Sequence, residues 1–496
     1  MEKNSSSRVT TGIGGLDDIL DGGLPRNHVY LVEGDPGTGK TTLAMQFLMT
    51  GARLGEKGLY VSLSETEREL RAVAESHGWN LDGIDIFELP AGFTKPGEQY
   101  TVFHASEVEL TDITKAILDR VEETEPQRVV LDSLSEVRLL AGDALRYRRQ
   151  ILALKQFFAN RNCTVLLLED RTATKRDLDV ASISHGVISL EHLARDYGSE
   201  RRRLRIIKMR GLRFRGGFHD YSILTGGLRV YPRLVASEHR EAHITGVLKS
   251  GIKGLDDLLG GGIECGTSLL ILGPAGCGKS TIAAQYVAAA AGRGECGAMY
   301  IFDESPLTLV QRTAALGADL RPYIDNHTVK IEQIDPAELS PGEFVHRVRH
   351  EVEKNDARAV VIDSVNGFMN AMPGEDTIAI QLHELLAFLN QRGIVTIMVM
   401  AQYGILGHGM ITPADISYLA DSVLLLRYFE AEGAVKQAIS VVKKRSGEHE
   451  RYIRELRLAE GRLWVGPALA EFHGILTGTP EYVGPAAPLQ KEGGPQ

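Results

Sequence analysis

A chain of 496 residues is too long for one ordinary core, and at ~100–200 residues per domain it predicts two to four domains. Its 43% hydrophobic and 24% charged content is that of a soluble globular protein, and its net charge of −10 argues against a general attraction to nucleic acid or to an anionic membrane. No apolar stretch reaches the ~18 residues of a spanning helix, the start lacks a signal-peptide core, and the four cysteines form no Cys-x-x-Cys pair, so a cytoplasmic protein without a zinc ribbon is expected.

In chain order, GIGGLDDIL opens at Gly12, and HVYLVEG follows as a buried-strand candidate. It leads into GDPGTGKT, which fits G-x-x-x-x-G-K-[ST]. Gly34, Gly37, Thr38 and Gly39 form a loop whose backbone N–H groups can wrap phosphate oxygens. Lys40 can reach the outer phosphates, Thr41 can ligate Mg²⁺, and Thr42 closes the nucleotide-binding stretch where the helical pattern TTLAMQFLMTGARL begins. The next strand, GLYVSL, runs into SET with Glu65. A carboxylate there can orient or deprotonate a nucleophile near a γ-phosphate, although an acidic residue at a strand end is as often a helix cap. RVVLDS ends a fully apolar strand at Asp132, where a Walker B carboxylate would hold Mg²⁺. A helical pattern, RRQILALKQFFANR, and another buried strand, CTVLLLE, continue the alternation. Such alternation predicts a mostly parallel sheet covered by helices, with ligand sites at the carboxyl ends of its strands. ERRRLRIIKMRGLRFRGG then places eight Lys and Arg in eighteen residues. Its alternation reads as an edge strand whose charged face meets a neighbour, in preference to a DNA-binding run.

These landmarks recur. GIKGLDDLL lies 239 residues after its first copy, and GPAGCGKST, with Gly273, Gly276, Cys277, Gly278, Lys279, Ser280 and Thr281, repeats the phosphate loop at the same spacing. FDES brings Asp303 and Glu304 to the place of Ser64 and Glu65. VVIDS ends at Asp363 as RVVLDS ends at Asp132, and KKR at Lys443 to Arg445 answers KMR at Lys208 to Arg210. Two tandem homologous α/β domains follow, 1–240 and 241–475, with PRLVASEHREAHIT as linker and a flexible tail over 476–496. Two phosphate loops, each between a strand and a helix, predict two nucleotide sites that share Mg²⁺ ligands of one type: Thr41 with Asp132, and Ser280 with Asp363.

The paired loops, the G-[IV]-x-G-L-D-D openings, the LSET and FDES strand ends and the K-M-R-G segment resemble the KaiC family of RecA-like ATPases over most of the chain. The resemblance implies tandem RecA-like P-loop domains and a double-ring homohexamer with Mg²⁺ and ATP between subunits. It further implies slow hydrolysis in the first ring, and serine/threonine autokinase and autophosphatase activity in the second. Where the family carries a Glu-Glu pair, this chain has Ser64-Glu65, so Glu65 serves alone; Asp303 and Glu304 keep both carboxylates. Lys208 and Arg210, and Lys443 and Arg445, match cations that reach a neighbour's γ-phosphate. GHGMITPADISYLADSVLLLRY matches the phosphoacceptor segment, with Ser417 on the acceptor serine, Tyr418 in place of the adjacent threonine, and Thr412 on a further hydroxyl position. Ser417 and Tyr418 read otherwise as the approach to the strand SVLLLRY. The resemblance leaves room for a KaiB-like partner, whereas the short Pro/Gly-rich end argues against a KaiA-like activator. Two other classes share the loops: a RecA-type DNA-dependent ATPase or recombinase, and a nucleotide-gated scaffold with little turnover. The acidic balance and the Ser417 segment favour the ring.

Overall fold

The computed structural model describes residues 7–89, 105–171, 178–194, 197–239, 245–370, 378–402, 417–459, 461–477 and 479–484. The chain divides into two compact units, Met1–Arg233 and Leu234–Gln496.

In the first unit nine strands share one sheet: β1 (Val29–Gly34), β2 (Gly58–Ser62), β3 (Ile84–Glu88), β4 (Arg128–Asp132), β5 (Thr164–Asp170), β6 (Gly186–Leu193), β7 (Arg201–Met209), β8 (His219–Leu224) and β9 (Gly227–Tyr231). Their order is β9-β8-β7-β6-β1-β5-β4-β2-β3, parallel from β6 through β3 and antiparallel through β7, β8 and β9. The second unit repeats this with β10 (Ser268–Gly273), β11 (Gly297–Ile301), β12 (Val329–Gln333), β13 (Ala359–Asp363), β14 (Val395–Ala401), β15 (Ser422–Ala431), β16 (Ala434–Lys444), β17 (Arg454–Ala459) and β18 (Arg462–Ala468), ordered β12-β11-β13-β14-β10-β15-β16-β17-β18. Each sheet is thus mostly parallel, as the alternating pattern predicts for tandem RecA-like domains.

The inner parallel strands are mostly apolar because helices cover both faces, whereas the edge strands β3 (IDIFE) and β12 (VKIEQ) are mixed. Tyr30 and Val32 of β1 pack with Phe47 and Leu48 of helix α1 (Lys40–Arg53) on one face. Leu31 and Leu167 pack with Ile151, Leu154 and Phe158 of a second helix, Ala144–Ala159, on the other. The repeated GLDD motif has a fastening role. Asp17 Oδ1 accepts from the Thr11 amide at 2.8 Å and its hydroxyl at 2.7 Å, and Asp256 Oδ1 accepts from the Ser250 amide and hydroxyl, each at 2.8 Å. Both aspartates thereby pin the chain entry to the short helix that follows.

Three details depart from the sequence reading. The strand expected at an edge, β7, is internal: β6 flanks it along its length, and β8 covers its other side at Arg202, Arg203 and Leu204. The chain turns back through Arg210–Phe218 to add that partner, which a charged, alternating pattern cannot foretell. Residues inside the stretch read as linker pack on the second unit, where Leu234 and Ala236 are buried and the Ala236 amide donates to Glu384 Oε2 at 2.9 Å. Pairing also continues past the expected start of the tail: Glu481–Tyr482 lies antiparallel to Phe472–His473, with the Tyr482 and Phe472 rings 5.3 Å apart, so aromatic contact holds this return. Among the described residues no helix is long and apolar enough to cross a membrane.

Candidate active sites

The phosphate loop of the first unit turns from β1 into α1. Gly39 caps the helix with φ +87°, where a Cβ would also meet Ile223 Cδ1 at 2.7 Å, and no side chain accepts from the first-turn amides. Gly278 repeats this with φ +95° ahead of helix α2 (Lys279–Gly292). Both loops therefore present backbone N–H groups at a positive helix end, which suits phosphate. Thr38 and Cys277 are wholly buried, and the Thr38 hydroxyl donates to the Asp35 carbonyl at 2.7 Å, so these two positions can offer a phosphate only their backbone amides. Thr42 and Thr281 are likewise buried in the helices. Gly34 and Gly273 serve packing: an added Cβ would meet Leu190 O at 2.8 Å in one and Leu426 O at 2.9 Å in the other.

Both loop lysines are buried. Lys40 Nζ donates to the Gly34 and Asp35 carbonyls at 2.9 and 3.0 Å and lies 2.7 Å from Asp170 Oδ1. Lys279 Nζ donates to the Pro274 carbonyl at 2.6 Å and lies 4.0 Å from Cys277 Sγ. The strand-end aspartates stand beside the loop hydroxyls, as read. Thr41 Oγ1 donates to Asp132 Oδ2 at 2.9 Å, and Ser280 donates to Asp363. Burial pushes both carboxyls up from the ordinary range, against the pull of those hydroxyls and of the loop lysines. In both units the peptide after this aspartate is cis.

Register brings the candidate bases to the same place. Ser62 pairs with Asp132, and Ile301 with Asp363, so the residues just past β2 and β11 stand next to the aspartates. Each glutamate directly precedes a helix cap. Thr66 and Glu69 form a capping box, and Ser305 accepts from the Thr308 amide at 3.2 Å ahead of Pro306. Glu65 itself is left outside the cap, with a buried Oε2 that meets no donor. Burial first, then the charges of Asp132 and Glu69, raise its carboxyl. Glu304 is raised by burial too, partly offset by Arg312 at 2.6 Å. Asp303 accepts from the Ser364 hydroxyl at 2.6 Å, so each carboxyl of this pair has a partner of its own.

The third group lies elsewhere in each unit. Lys208 donates to the carbonyls of Ala181 and Ser182, and Arg210 donates to Ser182 O at 3.0 Å. Lys443 donates to the carbonyls of Ser417 and Ala420, each at 2.8 Å, and Arg445 to Tyr418 O at 2.5 Å and Asp421 Oδ1 at 3.3 Å. The two cation pairs thus hold equivalent positions ahead of β6 and β15: the end of the short helix Leu178–Ile183 in the first unit and a turn at Ser417–Leu419 in the second. Ser417 and Tyr418 occupy that turn, and Tyr418 is exposed; Thr412 lies outside the described residues. Much of the basic run is engaged internally. Arg203 and Arg205 lie 2.9 and 4.0 Å from Glu191 and stack over Phe218, while Arg202 pairs with Glu200 at 2.7 Å.

A model of the family described as "ATPase: KaiC" matches residues 9–235 and again 248–468. The chain belongs to the KaiC ATPase family. It is 26% identical over 483 residues to the circadian clock oscillator protein KaiC of Thermostichus vulcanus, covering 95% of this chain and 92% of the relative. Over 489 residues it is 26% identical to the protein of that name from Synechococcus elongatus, covering 97% and 93%. Membership in KaiC supports ATPase chemistry, with ATP and Mg²⁺ as the ligands the family implies. The residues fit them: uncapped helix turns, a lysine, a hydroxyl beside a carboxylate, and in the second unit a buried Asp363 Oδ2 that meets no donor.

Two residues in this arrangement escape a sequence reading. Tyr60 donates to Asp132 Oδ2 at 2.5 Å, and Asp170 pairs with Lys40. Aligning the two KaiC repeats does not single them out: Met299 and Ala401 stand in their places, but along these strands almost every other position differs as well.

Proposed function

We propose that both units bind Mg·ATP and hydrolyse it, that copies of the chain assemble as a homohexameric double ring with ATP at subunit boundaries, and that the second unit phosphorylates its own hydroxyl side chains and removes that phosphate. The observation that carries the reading is the doubled set of loop lysine, hydroxyl–aspartate pair and partly buried glutamate at matching strand ends. Mg²⁺, when bound, supplies charge neutralisation at the transferring phosphoryl group. The chain's own residues do the rest. The amides of the loops ahead of α1 and α2 hold phosphate oxygens, and Lys40 and Lys279 balance their charge. Thr41 with Asp132, and Ser280 with Asp363, form the metal-side pairs. Glu65 and Glu304 accept the proton of the attacking hydroxyl or water, a task suited to a carboxyl raised by burial.

Lys208, Arg210, Lys443 and Arg445 are assigned to the neighbouring subunit's γ-phosphate, so each site is complete only in the ring. The autokinase assignment draws on the turn that holds Ser417 and Tyr418, which Lys443 and Arg445 bind by its carbonyls. Phosphate added there brings about −1.5 to −2 charges beside two cations and would reset the turn. A KaiB-like partner on the first ring belongs to this reading.

The test is phosphosite mapping after incubation with Mg·ATP, beside a mass measurement with and without nucleotide. Phosphate on Thr412, Ser417 or Tyr418 and an ATP-dependent hexamer are expected. No phosphate on any of the three overturns the autokinase assignment, and tight, salt-sensitive, ATP-dependent binding of single-stranded DNA would replace the ring with a recombinase.

A further inference from the structure

The two sites differ at two neighbours of their catalytic groups. β1 and β5 pair Gly34 with Asp170, and β10 and β14 pair Gly273 with Ala401, so the same register position holds a carboxylate in one unit and a methyl group in the other. Tyr60 pairs with Val130 two residues before the Ser62–Asp132 pair, and Met299 pairs with Val361 two residues before Ile301–Asp363. The consequences are direct. An ammonium has three N–H donors, and those of Lys40 are taken by Gly34 O, Asp35 O and Asp170 Oδ1. Among the described residues no carboxylate stands within ion-pair distance of Lys279. Asp132 accepts from both Tyr60 and Thr41, whereas Asp363 accepts from Ser280 and keeps one buried oxygen, Oδ2, that meets no donor.

Resting on the reading of both loops as nucleotide sites, we propose that Asp170 and Tyr60 are positioning residues that restrain the first site. Asp170 competes with the nucleotide's outer phosphates for Lys40, and Tyr60 competes with the metal side for Asp132. A phosphate that takes up Lys40 must displace a neighbour, and the carboxylate, being of like charge, is the one it repels. Ser135, whose hydroxyl lies 3.3 Å from Asp170 Oδ2, can receive the displaced group. Among the described residues the second site has no such competitor, so the two repeats of one chain bind nucleotide with different affinity: the first weaker and more dependent on Mg²⁺ concentration.

The experiment uses the full chain with Lys279→Ala, which confines binding to the first site, titrated with a fluorescent ADP analogue and Mg²⁺. Asp170→Asn is expected to lower Kd about three- to ten-fold, the range for a partly buried ion pair. Tyr60→Phe is expected to lower the Mg²⁺ concentration needed for half-saturation. The reverse graft, Ala401→Asp in a chain with Lys40→Ala, is expected to weaken the second site by a similar factor. It keeps the proposal testable if the Asp170 variant fails to fold. An unchanged or raised Kd in Asp170→Asn that melts like its parent, or an Ala401→Asp chain that binds as its parent does, overturns the inference. A chain that binds no nucleotide with either lysine intact overturns the ATPase reading itself, which is a different result.

Discussion

Lys443 Nζ donates to the carbonyl of Ser417 at 2.8 Å, and in the other unit Lys208 makes the matching bond to Ala181. The same cation position therefore grips the matching stretch of chain in both repeats, a helix end in the first and a turn in the second, but only the second carries adjacent hydroxyls, Ser417 and Tyr418. In the first unit the pair is Ala181 and Ser182.

Loss of that grip should show as local opening. Lys443→Ala removes two bonds to carbonyls, at Ser417 and Ala420, each worth about 1.5–3 kcal/mol because the donor is charged. Amide hydrogen exchange over 417–423 is expected to speed up by about ten-fold or more, with the exchange of β10 and β14 unchanged. Equal protection in variant and parent would refute the assignment of the lysine as a clamp.

Glu65→Gln and Glu304→Gln should each stop hydrolysis in their own unit, with turnover there falling about 10²–10⁴-fold as expected for removal of a general base. A base must be ionised, so turnover is full above its pKa and is lost as pH falls through it. Both carboxyls are raised by burial, so the acid limb of the ATPase profile should begin at higher pH than an ordinary glutamate would give. A limb at the ordinary carboxylate position would count against both.

The same shift makes a stability prediction of opposite sense. A carboxyl raised in the folded state binds its proton more tightly there than in the unfolded chain. The cost of burying its charge is then present above the folded pKa and relieved as pH falls through it. Glu65→Gln should accordingly raise the melting temperature of the nucleotide-free chain at neutral pH while leaving it unchanged in acid.

Lys40→Ala and Lys279→Ala test how the two proposed rings share the labour. If the first ring assembles the particle, Lys40→Ala should abolish ATP-driven hexamers in a native mass measurement and Lys279→Ala should leave them intact. Hexamers in the Lys40 variant alone would reverse the assignment.

Arg128 offers a prediction about the fold alone. It is wholly buried, pairs with Glu56 at 2.6 Å, donates to the Thr10 and Phe47 carbonyls at 2.8 and 2.7 Å, and stacks on the Phe47 ring. Arg128→Met strands those acceptors and should cost about 3–5 kcal/mol in urea unfolding of the first unit.

Much of this was legible in the residues. The phosphate loops and the strand-end aspartates sit at local junctions of strand and helix, where spacing marks them, whereas Glu65 and Glu304 read equally as helix caps until the repeat and the family resemblance are considered. Tyr60 was hidden for a physical reason: inside GLYVSL an aromatic residue reads as core, and its hydroxyl finds Asp132 only because β2 lies beside β4 in the sheet. Asp170 was hidden similarly, since its partner Lys40 belongs to a strand–loop pair that becomes adjacent through the β1–β5 pairing. The edge reading of β7 failed because strand pattern reports which faces are wet, and does not report whether a later hairpin returns to cover the edge.

The matched sheets have an experimental consequence of their own. Every strand from β1 to β9 has a counterpart from β10 to β18, carried on the same polypeptide at fixed one-to-one stoichiometry. A substitution in one repeat is read against an untouched copy that shares its buffer, its temperature and its concentration. Differences between the two are then free of the batch error that limits comparison of separate proteins.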